Sequence, residues 1–227
     1  MNSWTERLLR KPTDLESAQI LEEMAVLERL RLKTENLSSL QWEEGLTRLA
    51  PFRLKSSGTL KQGSVESWQR ANVFVAQKIQ SEANPTWDDI LKINAMLMEV
   101  TQSEVRKEPV YLGPVEACPP ELLTENLTLF QNQILNLNNH PDPLVAAALC
   151  QYWLVSLHPF ADANGRTAVL LTDWILGSHG YLPMSFATKL DALVATLADG
   201  RVSATPGNAI LKLIKNVQRS YQLILGE

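Results

Sequence analysis

The run His158-Pro159-Phe160-Ala161-Asp162-Ala163-Asn164-Gly165-Arg166 concentrates the residue types that handle phosphate. A histidine ends a long apolar run, and eight residues later an arginine opens a new helical pattern. Helix N-termini present unpaired backbone N–H groups and the positive end of the dipole, which suits an anion and phosphate above all. Gly165 lets the backbone approach that anion closely, while Asn164 and Arg166 add side-chain donors; an arginine forks onto two phosphate oxygens at once. Asp162 is placed to hold Mg²⁺ bridging such phosphates, because that ion favours one or two carboxylates together with phosphate oxygens. His158 titrates near neutral pH and can take a proton from an attacking hydroxyl. These are the parts of a phosphoryl- or nucleotidyl-transfer site.

The elements that must position these groups read as helices. From Asp14 to Lys33 the apolar residues Leu15, Ile20, Leu21, Met24, Leu27 and Leu30 fall near helical spacing,. A second helix starts near Ser64 and carries Trp68, Val73, Val75 and Ile79. Thr86 and Asp89 have the spacing of a capping box for a helix to about Val100. Strand character is confined to Pro109–Val115, with Gly113-Pro114 as a turn. Pro119-Pro120 opens a helix to about Leu137, and Asp142 caps an apolar one from Leu144 to Leu157. A helix from Arg166 to Gly177 follows the polar loop, then two more over Ser185–Ala198 and Ala209–Leu225, separated by Pro206-Gly207. Arg53–Gly63 reads as a mobile loop. The expectation is an all-α fold with one short β-hairpin.

Composition narrows the function classes. The 227 residues are 45% hydrophobic and 20% charged, enough for a core and unlike a disordered chain,. A net charge of −4, from 21 basic and 25 acidic side chains, argues against a dedicated nucleic-acid binder,. Two cysteines, Cys118 and Cys150, make no disulfide framework and suggest a reducing compartment,. Met1–Arg10 has no apolar core of a secretory signal. The uncharged stretch Pro143–Ala161 is broken by Gln151, Ser156, His158 and two prolines, so no membrane span is expected. The sequons at Asn36 and Asn126 then read as chance matches. The expected setting is the cytoplasm, of the producing cell or of a cell into which the protein is delivered as an effector.

The loop resembles the signature of Fic (filamentation induced by cAMP) domain proteins, HPFx[D/E]GNGRxxR, with Ala163 in place of a glycine. Upstream, Arg106-Lys107-Glu108-Pro109-Val110-Tyr111-Leu112-Gly113 resembles the flap hairpin of that family, and the resemblance spans about Thr86 to Gly180. It implies a Fic-like helical bundle in which residues 86–227 form the catalytic domain and 1–85 a regulatory or target-recognition extension. It also implies transfer of the AMP part of ATP to a Ser, Thr or Tyr hydroxyl of a target protein. In that scheme His158 is the base, Phe160 a buried anchor and Asp162 the magnesium ligand. Asn164, Gly165 and Arg166 surround the donor phosphates. The flap, Arg106, Lys107, Glu108, Pro109, Val110 and Tyr111, aligns the target backbone by strand addition.

Two departures bear on the donor. The second arginine of the signature, which holds the γ-phosphate in the family, is here Val169. Its loss removes a charge-assisted contact of about 1.5–3 kcal/mol. A donor without a γ-phosphate, such as CDP-choline giving phosphocholine transfer, has no use for that charge; the other alternative donor is UTP, giving UMP transfer. A third reading is a Fic-like domain that binds a nucleotide or a partner without turnover. Ser39-Leu40-Gln41-Trp42-Glu43-Glu44-Gly45 only approximates the family's inhibitory [S/T]xxxE[G/N] motif, and Val169 leaves its glutamate without a partner, so that form of autoinhibition is not expected. The family's frequent histidine in the helix before the signature is Gln151 here. His140 and His179 lack catalytic company and read as loop or helix-end residues. The six tryptophans, Trp68, Trp87, Trp153 and Trp174 among them, read as core,.

Overall fold

The computed structural model describes residues 3–56, 64–112, 115–140, 142–185 and 205–227. In chain order the elements are α1 (Ser3–Leu8), α2 (Asp14–Thr34), α3 (Ser39–Ser56), α4 (Ser64–Gln80), α5 (Trp87–Met98), β1 (Tyr111–Leu112), β2 (Val115–Glu116), α6 (Pro120–Leu129), α7 (Pro143–Leu157), α8 (Asn164–Ser178) and α9 (Pro206–Leu225). Several helix starts carry the chemistry that initiates them. The Glu16 N–H donates to the Thr13 hydroxyl at 3.2 Å, and the Glu16 carboxylate accepts from the Thr13 N–H at 2.7 Å. Thr86 and Asp89 repeat this reciprocal arrangement ahead of α5, as their spacing predicts,. Asp142 Oδ1 accepts from the N–H groups of Leu144 and Val145 at 2.8 and 3.2 Å, which opens α7,.

α7 is buried along most of its length, from Leu144 to Leu157. A helix apolar all round belongs in the middle of a bundle, and α7 packs there against α8 and α9. α9 in turn carries α2 and α3, while α4 and α5 lie against α8. Trp153, Trp174, Phe130 and Phe160 are the largest fully buried side chains. Both cysteines are free and buried, and burial pushes the Cys118 thiol up to about 11, so it is protonated at neutral pH,. No helix among the described residues is long and apolar enough to cross a membrane.

Several expectations shift. α3 is helical through Ser56, so Arg53–Ser56 belong to its last turn; residues 57–63 of the expected loop lie outside the described residues. The helix expected over Ser185–Ala198 also falls there, beyond Ser185. α6 ends at Leu129 and passes into a π-turn, Phe130–Ile134, closed by the Leu135 N–H to the Phe130 carbonyl at 2.8 Å, then a 3₁₀ turn at Leu137–Asn139. α9 begins at Pro206, not Ala209: proline occupies the first helical position, where its missing N–H costs nothing, and Thr205 caps it,. The strand material reduces to two-residue strands, Tyr111 opposite Glu116 and Leu112 opposite Val115; residues 113 and 114 lie outside the described residues.

The Ser39–Gly45 segment lies on α3 with Glu43 and Glu44 exposed. Gly45 is there for packing: a Cβ would sit 2.8 Å from the Ile224 carbonyl oxygen on α9. Gly45→Ala is expected to destabilise the protein by about 1–3 kcal/mol through overpacking against backbone that cannot swing aside. A thermal melt checks this; an unchanged midpoint would mean that α3 and α9 separate freely.

Candidate active site

The loop from His158 to Ala163 joins the C-terminus of α7 to the N-terminus of α8, so the two helix ends face one turn of chain. His158 caps α7 in the left-handed region, φ 50° and ψ 55°, its N–H donating to the Leu154 carbonyl at 3.0 Å. Its ring is half-buried, with Nδ1 3.3 Å from the Val155 carbonyl oxygen. A carbonyl only accepts, so Nδ1 carries the proton in the neutral ring and Nε2 is left with its lone pair. Burial lowers the pKa below the ordinary 6.5; the Val155 carbonyl opposes this, the Arg106 charge adds to it and the Asp162 charge opposes it. A pKa below 6.5 favours the neutral ring at pH 7,.

Phe160 is 1% exposed and stacks on Trp87, centroids 5.9 Å apart with planes 13° from parallel. Trp87 meets Phe130 edge-on at 6.3 Å, and Phe130 stacks on Trp153 at 6.5 Å. This aromatic series ties the loop to the core. Asn164 closes the loop on itself, its Oδ1 accepting from the Phe160 N–H and its Nδ2 donating to the Phe160 carbonyl, both at 2.8 Å. Both ends of its amide are thus engaged within the loop. Ala163 takes φ 62° and ψ 11°, where the family signature has glycine; the left-handed conformation costs an L-residue about 1–2 kcal/mol,.

Ala163 stands at the N-cap of α8 without a side-chain cap, so Asn164, Gly165 and Arg166 form an uncapped first turn. Gly165 is exposed, and a Cβ there would meet nothing within 4 Å. The φ of Gly165 is not positive, so its value is the open approach to the helix end,. Asp162 is exposed: Oδ1 accepts from the Ala163 N–H at 2.5 Å, and Oδ2 lies 3.8 Å from Arg166 Nη2. No cluster of three or more His, Cys, Asp or Glu able to hold a metal occurs among the described residues. One exposed carboxylate beside an uncapped helix start still fits Mg²⁺ carried in with a nucleotide, since that ion draws most of its ligands from phosphates and water,.

Of the flap residues, Lys107, Glu108, Pro109 and Tyr111 are exposed and Val110 is half-buried. Arg106 is not on that surface. It is buried, and its side chain donates to the carbonyls of Glu108, Cys118, Leu157 and His158. An open groove of about 460 Å³ lies between this segment and the loop, lined by Met98, Val100, Val105, Lys107, Ala161 and Asp162 among others.

Sequence reasoning missed Asn94. It is buried on α5, its Nδ2 donates to the Asp162 carbonyl at 3.0 Å and to Thr167 Oγ1 at 3.1 Å, and its Oδ1 accepts from Ser103 Oγ at 2.5 Å. The available signal was an asparagine on the apolar face that also carries Ile90, Ile93 and Leu97. Val169 is buried in α8, and Gln151 is buried with Nε2 3.7 Å from Met184 Sδ.

The fold is a helical bundle with a histidine at the end of one helix and the uncapped start of the next helix six residues on. Residues 85–176 match the model of the Fic/DOC family. The chain is 28% identical over 234 residues to a uridine 5'-monophosphate transferase of Xanthomonas campestris pv. campestris, covering 93% of this chain and 43% of that protein. It is 34% identical over 105 residues to protein adenylyltransferase fic-1 of Caenorhabditis briggsae, covering 43% of this chain and 20% of the relative. The chain thus spans less than half the length of these curated relatives. Among solved structures, a Fic domain-containing signaling protein from Bacteroides thetaiotaomicron superposes with a TM-score of 0.62 at 18% identity, over 92% of this chain and 97% of that one. IbpAFic2 covalently tethered to Cdc42 superposes with a TM-score of 0.66 at 20% identity, over 94% and 73%. At those identities the likeness is one of fold.

Proposed function

We propose that this chain transfers a nucleoside monophosphate from a nucleoside triphosphate to a hydroxyl of a protein. The observation that carries the proposal is His158: a neutral ring held by Nδ1 on Val155, its Nε2 lone pair available, beside the uncapped first turn of α8. In the reaction Nε2 takes the proton of a Ser, Thr or Tyr hydroxyl, and that oxygen attacks the α-phosphorus. The bond from the α-phosphorus to the bridging oxygen breaks, and pyrophosphate leaves. The first turn of α8 and Arg166 stabilise charge on the phosphates. Asp162 is the residue that would hold Mg²⁺, whose chemistry here is neutralising phosphate charge. The hairpin offers an edge to which an extended target segment adds,. The division between residues 86–227 as catalytic and 1–85 as regulatory or target-recognising is part of the proposal, as is a cytoplasmic setting in the producing or a recipient cell.

AMP from ATP is the default donor group, on the names of the adenylyltransferase relatives. UMP from UTP is the second reading, favoured by the uridine 5'-monophosphate transferase that matches along 93% of this chain; the buried Val169 does not separate ATP from UTP, since both carry a γ-phosphate, and bears only on CDP-choline. Intact-mass analysis with Mg²⁺, ATP, UTP, CTP, GTP or CDP-choline, alone and with cell lysate, distinguishes the donors by the size of the increment. A gain of phosphocholine would select that alternative, and nucleotide binding with no gain from any donor would favour the non-catalytic one.

The pH dependence follows from the ring. The base acts when neutral, and a pKa below 6.5 keeps it neutral to lower pH. The acid limb of kcat/KM is expected to have its midpoint below 6.5, with the rate level from there to neutrality,. A midpoint above 6.5 would contradict the desolvated ring described above.

A further inference from the structure

Arg106 engages five backbone groups from one position. Its Nε donates to the His158 carbonyl at 2.6 Å, Nη2 to the carbonyls of Leu157 at 3.2 Å and Cys118 at 2.6 Å, and Nη1 to that of Glu108 at 2.6 Å. Its own N–H donates to the Pro159 carbonyl at 2.8 Å. Leu157 and His158 sit at the C-terminus of α7, where helix carbonyls lack donors and the dipole is negative,. Glu108 and Cys118 flank the hairpin on its two sides. The planar guanidinium, with five N–H donors in fixed directions, matches this set; a lysine ammonium keeps the charge without the fork.

We infer that Arg106 is a positioning residue, clamping the hairpin to the end of α7 so that the His158 ring stays seated with Nδ1 on the Val155 carbonyl and Nε2 directed outward as a base. The catalytic consequence rests on the transferase reading; the clamp itself does not. The charges acting on the ring are those of Arg106 and Asp162.

The test uses the whole chain labelled with ¹⁵N-histidine, in which only three histidines give signals. His140, with Nε2 3.1 Å from the Ile134 carbonyl, and His179, with Nδ1 2.8 Å from the Ile175 carbonyl, serve as references. The wild-type His158 ring is expected to be neutral with its proton on Nδ1. In Arg106→Lys and Arg106→Met its signals are expected to move toward the Nε2-protonated form, while those of His140 and His179 stay in place. With MgATP or MgUTP as the donor that serves, kcat is expected to fall about 10-fold or more in Arg106→Lys, with KM for the nucleotide unchanged, because a small displacement of a reacting group is costly. A wild-type ring protonated on Nε2 overturns the inference without any variant. So does an unmoved His158 in folded Arg106→Lys, or three histidines shifting together. If the ring behaves as expected but no nucleotide yields product, the transferase reading falls and the clamp stands.

Discussion

Replacing His158 with alanine is expected to lower protein-directed nucleotide transfer by about 10²–10⁴-fold, the usual contribution of a positioned general base. The fold is expected to survive. The ring's hydrogen bond, Nδ1 to the Val155 carbonyl, is 3.3 Å long, and a net hydrogen bond of this kind contributes about 1 kcal/mol,. An alanine here would take the same left-handed conformation as the histidine it replaces, so the backbone penalty is similar on both sides of the comparison. Donor binding is expected to persist, because the first turn of α8 and Arg166 are untouched. The measurement pairs intact mass after incubation with Mg²⁺, nucleotide and lysate with nucleotide affinity for the same two proteins. Transfer that continues at the wild-type rate in the alanine variant would remove His158 from the chemistry. Unchanged binding with lost transfer would separate the base from the phosphate site, which the proposed mechanism puts at different helix ends.

Phe160→Ala is expected to cost about 3–5 kcal/mol of stability, the range for truncating a fully buried phenylalanine. The side chain is 1% exposed and stacked on Trp87, which leads through Phe130 to Trp153. Truncation opens a void at the point where the loop joins the core. It also frees the backbone at 160 that Asn164 grips through both ends of its amide. Transfer is therefore expected to fall even below the melting midpoint, because Asp162, Gly165 and Arg166 depend on that loop. Denaturant unfolding gives the first number and intact mass the second. A loss of stability under about 1 kcal/mol would mean that the void collapses and the ring is not an anchor. Phe160→Leu, which retains much of the volume, is expected to recover part of both effects.

How much of this was legible in the chain follows from the range of the interactions involved. α2 was readable from the helical spacing of its apolar residues, and α5 from the capping box of Thr86 and Asp89, which lies within three residues of sequence. α7 was readable from its unbroken apolar run, and the proximity of His158, Asp162 and Arg166 from their spacing in one short loop. The end of α3 was not readable: the Ser, Gly and Lys content of Arg53–Gly63 argued for a loop, yet the helix, which packs on α9 where Gly45 meets Ile224, runs through Ser56. The reading that put Arg106 on the docking surface used its place in the motif. Its inward turn depends on carbonyls at Leu157 and His158, some fifty residues away, which no local pattern encodes. Asn94 escaped for the same reason, since its partners are the Asp162 carbonyl and Thr167. By itself the sequence determined the residue types of the site and the helices that carry them, because side-chain chemistry and helix caps are local. Only the tertiary structure decided which polar side chains stay exposed and which are committed to the backbone, because buried donors and acceptors must find partners wherever the packing places them.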